Sequence, residues 1–203
     1  AADRVFKVLD TTSHIQDRGD GVLKNLKGDL EFKNVKFSYV ENEPVLKGVS
    51  LKVAAGETIA IVGATGAGKS TIVNLLGRFY EYEKGEVYIG NVNLKEIELN
   101  YLRANIAIVL QDVFLFSDSI HNNITLGDPD ITREQVITAS KAVGAHNFIA
   151  NLPEDYDYVI GERGGVLSVG QRQLLAFIRA YLYNPRILIL DEATSSLDSE
   201  SED

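Results

Sequence analysis

The sequence predicts an α/β fold with a mostly parallel central sheet, and three observations carry that prediction. A short apolar run, Ile59-Ala60-Ile61-Val62, leads into a glycine-rich loop, Gly63 to Ser70, and then into an apolar-periodic segment from Thr71 to Leu76, in the order strand, loop, helix. Ile106-Ala107-Ile108-Val109-Leu110 and Ile187-Leu188-Ile189-Leu190 are uninterrupted apolar runs of strand length, the pattern of strands buried on both faces of a parallel sheet. Between those two runs, over about residues 118–183, the periodicity turns helical and predicts an inserted α-helical subdomain.

Taken in order, Val5, Phe6, Val8 and Leu9 resemble the end of a helix, and Thr11 to Gly28 is polar and glycine-containing, a linker. From Leu30 apolar residues alternate at Phe32, Val35, Phe37 and Tyr39, and after Glu41-Asn42-Glu43-Pro44 a second run covers Val45 to Val53. Two strands around a turn follow, the start of an N-terminal antiparallel β subdomain. The helix after the glycine loop is expected to end near Phe79, and Glu86 to Gly90 to form another short strand. Thr132-Arg133-Glu134-Gln135 has the form of a capping box opening a helix through Val143. Val169 to Tyr183 carries Leu174, Leu175, Ile178 and Leu182 at helical spacing, and Asn184-Pro185 stops it. There is no internal repeat and no low-complexity tract.

Composition narrows the function. A net charge of −9 argues against broad nucleic-acid binding, because surfaces that track phosphates are basic. With no cysteine, disulfides, thiolate metal sites and cysteine nucleophiles are all removed. No apolar run reaches the 18 or so residues of a membrane span. The chain starts at Ala1 and contains no Met, which reads as an excised or engineered piece of a longer protein. Asn123-Ile124-Thr125 fits a glycosylation acceptor but is read as a chance match.

The loop Gly63-Ala64-Thr65-Gly66-Ala67-Gly68-Lys69-Ser70 has the spacing of a P-loop, which at average residue frequencies arises by chance in about one chain of this length per hundred. Its glycines let backbone N–H groups turn inward on a phosphate, and the helix start adds partial positive charge. Lys69 reaches the terminal phosphates and Ser70 holds Mg²⁺ through its hydroxyl. This is the signature of a P-loop NTPase. Asp191 and Glu192, at the C-terminal end of the last apolar run, are its natural acidic partners, because open α/β sheets gather ligands at that edge. Asp191 would support Mg²⁺, and Glu192 would orient, or take a proton from, the water attacking the γ-phosphate. The alternative for the pair is a helix cap after a core strand.

With these motifs, Leu167-Ser168-Val169-Gly170-Gln171 matches LSGGQ at four of five positions, and the chain resembles the nucleotide-binding domain of an ATP-binding cassette (ABC) transporter of the exporter type. The resemblance covers about residues 29–203, with 1–28 similar to the connector leaving a membrane domain. It implies that two such domains pack head to tail and that each sandwiches ATP between its own P-loop, with Thr71 adjoining, and its partner's Ser168, Gly170 and Gln171. Alone, that segment could be a simple helix cap. Val169 departs from the usual glycine.

The resemblance also implies that Tyr39 stacks on adenine, although an aromatic on an alternating strand is more often core. It matches Gln111 to a glutamine that reaches Mg²⁺ or the attacking water, and makes Phe114 and Phe116 part of a groove receiving a short helix of the membrane domain, with a buried core the equal alternative. Tyr158-Val159-Ile160-Gly161-Glu162 stands where exporters carry a TEVGE-like loop, without its first acidic residue. Asp198, in Ser195-Ser196-Leu197-Asp198, would align the partner's site. His14, His121 and His146 all precede Asp191, so none takes the family's later switch-histidine position, which is expected beyond Asp203. The expected function is thus an ATPase domain that dimerises around MgATP to power export, on the cytoplasmic side of a plasma or inner membrane. The alternatives are a nucleotide-gated dimerisation module with little hydrolysis and a non-transport ATPase of the same family.

Overall fold

Phe32 and Val35 are three residues apart, so strict alternation would send them to opposite faces of a strand, yet both are buried together with Phe37. A bulge resolves this. The register of β1 (Leu30–Ser38) against its neighbours slips between Phe32 and Val35, and Asn34 takes a positive φ of 48°. Gly85 lies over the bulge so closely that a Cβ there would sit 2.5 Å from the carbonyl oxygens of Lys33 and Asn34. The extra residue keeps all three apolar side chains on one face.

This computed structural model describes Phe6, Asp10, Ile15 and residues 28–110, 112–161 and 166–191. The chain divides into two units, Ala1–Arg103 and Ala104–Asp203. In the first, β1 sits between β2 (Pro44–Val53) and β3 (Lys84–Ile89), with β4 (Val92–Asn93) beyond β3; all pairings are antiparallel, as expected of the N-terminal β subdomain. The helix after the glycine loop, α1 (Lys69–Leu76), ends earlier than the predicted Phe79, at Gly77, because Arg78 turns to a φ of 48°. Two arginines hold that end. Arg78 is buried and donates to the Ile97 carbonyl at 2.9 Å, while Arg103 of α2 (Leu99–Ala104) donates to the carbonyls of Gly77 (3.3 Å) and Arg78 (3.2 Å).

Ile59 to Val62 forms no ladder among the described residues, contrary to the expected strand, and Val62 is 90% exposed. An apolar run becomes a strand only where a neighbour takes its N–H and C=O groups, and no described segment does so here.

In the second unit, β5 (Ile106–Val109) and β6 (Ile187–Leu190) pair in parallel, residue for residue. Ala176, Phe177 and Ala180 of α6 (Val169–Tyr183) pack with Ala107 and Val109. The expectation of burial on both faces is not met for β6 among the described residues: Leu188 and Leu190 are exposed, since described packing reaches only one face of this two-stranded ladder. The helical part adds α3 (Ile120–Thr125), α4 (Arg133–Ala142) and α5 (His146–Ala150). Its core joins Ile120, Ile124, Val136, Ile149, Leu175 and Ile178, all fully buried. The capping box at Thr132 and Gln135 forms in both directions as predicted, with α4 ending one residue short of Val143.

Candidate functional site

α1 starts without a side-chain cap. Its N-cap is Gly68, at a φ of 93°, where a Cβ would come within 2.8 Å of Leu46 Cδ2. The backbone N–H groups of Lys69, Ser70 and Thr71 are the first-turn donors that a helix leaves without intrahelical partners. Lys69 curls back over the loop, its Nζ donating to the carbonyls of Gly63 at 2.7 Å and Ala64 at 3.1 Å. An ammonium, a set of unpaired N–H groups and a helix dipole thus converge on the residue 63–70 loop, the arrangement that binds a phosphate chain. Ser70 is exposed at the loop's edge.

Tyr39 is half-exposed at the end of β1 rather than buried in the core. Its hydroxyl donates to Thr71 Oγ1 at 3.2 Å and accepts from Asn74 Nδ2 at 3.1 Å, so both tie it to α1. Phe37 and Tyr80 meet its ring edge-on, with centroids 4.8 and 4.9 Å away. Thr71 spends its hydroxyl on Tyr39, which leaves its backbone N–H as the group facing the loop. Asn74 was not singled out in the sequence; the available signal was a polar residue one turn after Ser70 on an otherwise apolar helix.

The start of α6 is built differently. Ser168 Oγ accepts from Gln171 N at 3.1 Å, and Gln171 Oε1 accepts from Ser168 N at 3.0 Å, a complete capping box. The pattern S-x-x-Q was legible as such. The cap leaves the Ser168 hydroxyl proton, the Gln171 amide protons and the Val169 and Gly170 N–H groups without a partner inside the box. Val169 is 47% exposed, so its side chain points away from the core.

The parallel ladder brings the C-terminal ends of β5 and β6 together, and Asp191 N donates to the Val109 carbonyl at 2.9 Å. Gln111, Glu162, Glu192 and the Ser195 to Asp198 stretch lie outside the described residues. Beyond β5, Phe114 and Phe116 are 66% and 53% exposed with ring centroids 5.0 Å apart, which removes the buried-core alternative for them. Asn123 is completely buried, so it is not a glycosylation acceptor, as the sequence reading held. His121 and His146 lie in the helical part. His146 Nδ1 is 2.9 Å from the Tyr156 hydroxyl, and burial, with Arg133 nearby, pushes the His121 pKa down. Among the described residues no cluster of three or more His, Cys, Asp or Glu side chains forms, and no helix is long and apolar enough to cross a membrane.

Comparison with known proteins points to one family. A family model described as ABC transporter matches residues 46–195. The chain is 45% identical over 203 residues to the uncharacterized ABC transporter ATP-binding protein YknV of Bacillus subtilis (strain 168), covering 100% of this chain and 34% of that protein. It is 49% identical over 204 residues to the ATP-dependent lipid A-core flippase of Haemophilus influenzae (strain 86-028NP), again with 100% of this chain and 35% of the relative. Among solved structures, a bacterial Atm1-family ABC exporter with ATP bound superposes with a TM-score of 0.90 at 40% identity, covering 98% of this chain and 35% of that one. The chain spans about a third of the length of these relatives.

Proposed function

From the premise that the chain belongs to the ABC transporter family, we propose that it binds MgATP at the Gly63 to Ser70 loop, dimerises around it with a second such domain, and powers export through a membrane domain by hydrolysis. The observation that carries this reading is the open start of α1. Lys69 rests on two loop carbonyls at 2.7 and 3.1 Å while the first-turn N–H groups stay uncapped, so a phosphate chain can take the ammonium without first displacing a side-chain cap.

In this reading the phosphate chain would be held by the N–H groups of Gly66, Gly68, Lys69, Ser70 and Thr71 and the Lys69 ammonium, and by the Ala67 N–H once it leaves the Ala64 carbonyl, to which it donates at 3.1 Å. Tyr39 offers the adenine its ring face, held upright by Thr71 and Asn74. Ser70 and Asp191 supply hard oxygen donors and Gln111 an amide oxygen, a set suited to Mg²⁺, which when bound neutralises charge developing on the phosphates. Glu192 orients the attacking water and accepts its proton. A partner domain contributes the Ser168 hydroxyl and the Val169 and Gly170 N–H groups to the same γ-phosphate. The exposed Phe114 and Phe116 pair receives a helix of the membrane domain, and the chain works on the cytoplasmic side of the membrane.

The test is Lys69→Ala. Its ATP affinity should fall by about 100-fold or more, equivalent to roughly 2.7 kcal/mol, and hydrolysis with it, in a titration with a fluorescent ATP analogue. Unchanged affinity would remove the loop from its role.

A further inference from the structure

About three turns beyond Ser168, α6 carries Arg179, a half-buried guanidinium whose desolvation pulls its pKa below the usual arginine range. Its Nε donates to the Asn123 carbonyl at 2.7 Å and its Nη1 to the Phe114 carbonyl at 3.1 Å. Asn123 is fully buried on α3, and its side chain continues the chain of bonds. Oδ1 accepts from Phe116 N at 2.8 Å, while Nδ2 donates to the carbonyls of Phe116 (3.0 Å), Asp118 (3.2 Å) and Ser119 (3.0 Å). The 114–119 segment, irregular up to the start of α3, therefore takes its backbone partners largely from two side chains.

Drawing a charge partly out of water costs free energy, so stability alone is a weak reason for a guanidinium at this place. What a guanidinium adds is geometry. Its planar fork spans two carbonyls at once, and its charge-assisted bonds are about twice as strong as neutral ones. We propose that Arg179 and Asn123 are a positioning pair that makes α6 and the Phe114 and Phe116 loop move as one body, so that a displacement of the Ser168 end on nucleotide binding reaches the aromatic pair. The inference rests on the proposed function, in which nucleotide meets Ser168. Leu115, between the two aromatics, also lies in the core cluster of Leu175 and Ile178 of α6, a non-directional contact, whereas the described directional bonds to the backbone of Phe114 and Phe116 from outside the loop come from Arg179 and Asn123. The loop's tie to the 158–160 segment runs through Asp118 and Ile120, at 2.9 and 3.0 Å.

Amide hydrogen exchange on the full 203-residue chain, with and without MgATP, reads this directly. In the unsubstituted chain, exchange at Phe116 N–H and at the first turns of α6 should slow at the same half-saturating ATP concentration. Arg179→Lys keeps the charge but replaces the fork with a single point donor. It should bind the ATP analogue within about twofold of the unsubstituted chain and retain the response at the start of α6, while Phe116 N–H exchanges about tenfold faster and loses its response to ATP. A merely structural role would speed exchange throughout the helical unit and leave the response at Phe116 in proportion. That result, or an unaltered response in Arg179→Lys, overturns the proposal. Should Arg179→Lys not fold, the unsubstituted chain decides, since a start of α6 that responds while Phe116 does not also overturns it. Absence of ATP binding in the unsubstituted chain instead removes the proposed function, and this inference with it.

Discussion

The proposed function assigns two helix starts to one nucleotide, and they are built on opposite plans. At α1 a glycine in a left-handed conformation opens the helix with no cap, leaving first-turn donors free, with a lysine folded back onto the Gly63 and Ala64 carbonyls. At α6 a serine and a glutamine close the start on each other before any ligand arrives. In the proposed function the first acts as an autonomous site, and the second is a pre-shaped surface with a few remaining protons to offer. The contrast explains why one nucleotide needs both in the proposed dimer. The open end supplies affinity, while the capped end supplies a fixed contact that matters only once the two domains meet.

The comparison can be broken in several places. After Lys69→Ala, the largest effect expected in the open end is from Gly68→Ala. A Cβ at a φ of 93° and 2.8 Å from Leu46 Cδ2 should cost roughly 1 to 3 kcal/mol of stability, and chemical denaturation of the substituted chain measures it. A neutral result would mean that the loop does not need its glycine. At the capped end, Ser168→Ala removes one half of the box and should cost about 1 kcal/mol in the same assay. Nucleotide affinity of the single domain should stay intact, with only ATP-dependent dimerisation weakened. Equal loss of affinity in Ser168→Ala and Lys69→Ala would erase the distinction between the two ends.

The smallest effect lies away from both. The His121 pKa is lowered, so the unfolded chain takes up a proton before the folded one does and stability falls as the pH drops through the ordinary histidine range. His121→Gln should flatten the decline in melting temperature between about pH 7.5 and about pH 5.5 while leaving the value at the upper end nearly unchanged. A decline that stays as steep would place the acid sensitivity elsewhere.

Much of this was legible in the residues. The spacing of glycines, Lys69 and Ser70 predicted the loop, and Thr132 with Gln135 predicted a cap that forms as written. At the start of α6, Ser168 and Gln171 stand at capping-box spacing, and the helix cap given as the alternative for that segment forms. Other features depend on tertiary partners that no local pattern names. Ile59 to Val62 has the composition of a strand without a described neighbour to pair with. The Phe32 to Val35 spacing needed the bulge at Asn34 and the bare Gly85 above it. Arg179 and Asn123 lie far apart in the chain, Arg179 in no motif and Asn123 only in a chance sequon.

The most direct test of the unequal halves is a mixing experiment read by light scattering in the presence of MgATP. Lys69→Ala protein has a ruined open end and a sound capped end, and Ser168→Arg protein has the reverse. Neither should dimerise fully alone. Mixed, they should form a heterodimer holding one intact composite site, with ATP bound by the Ser168→Arg partner. Failure of the mixture to associate, or loss of ATP binding by Ser168→Arg monomer, would contradict the account.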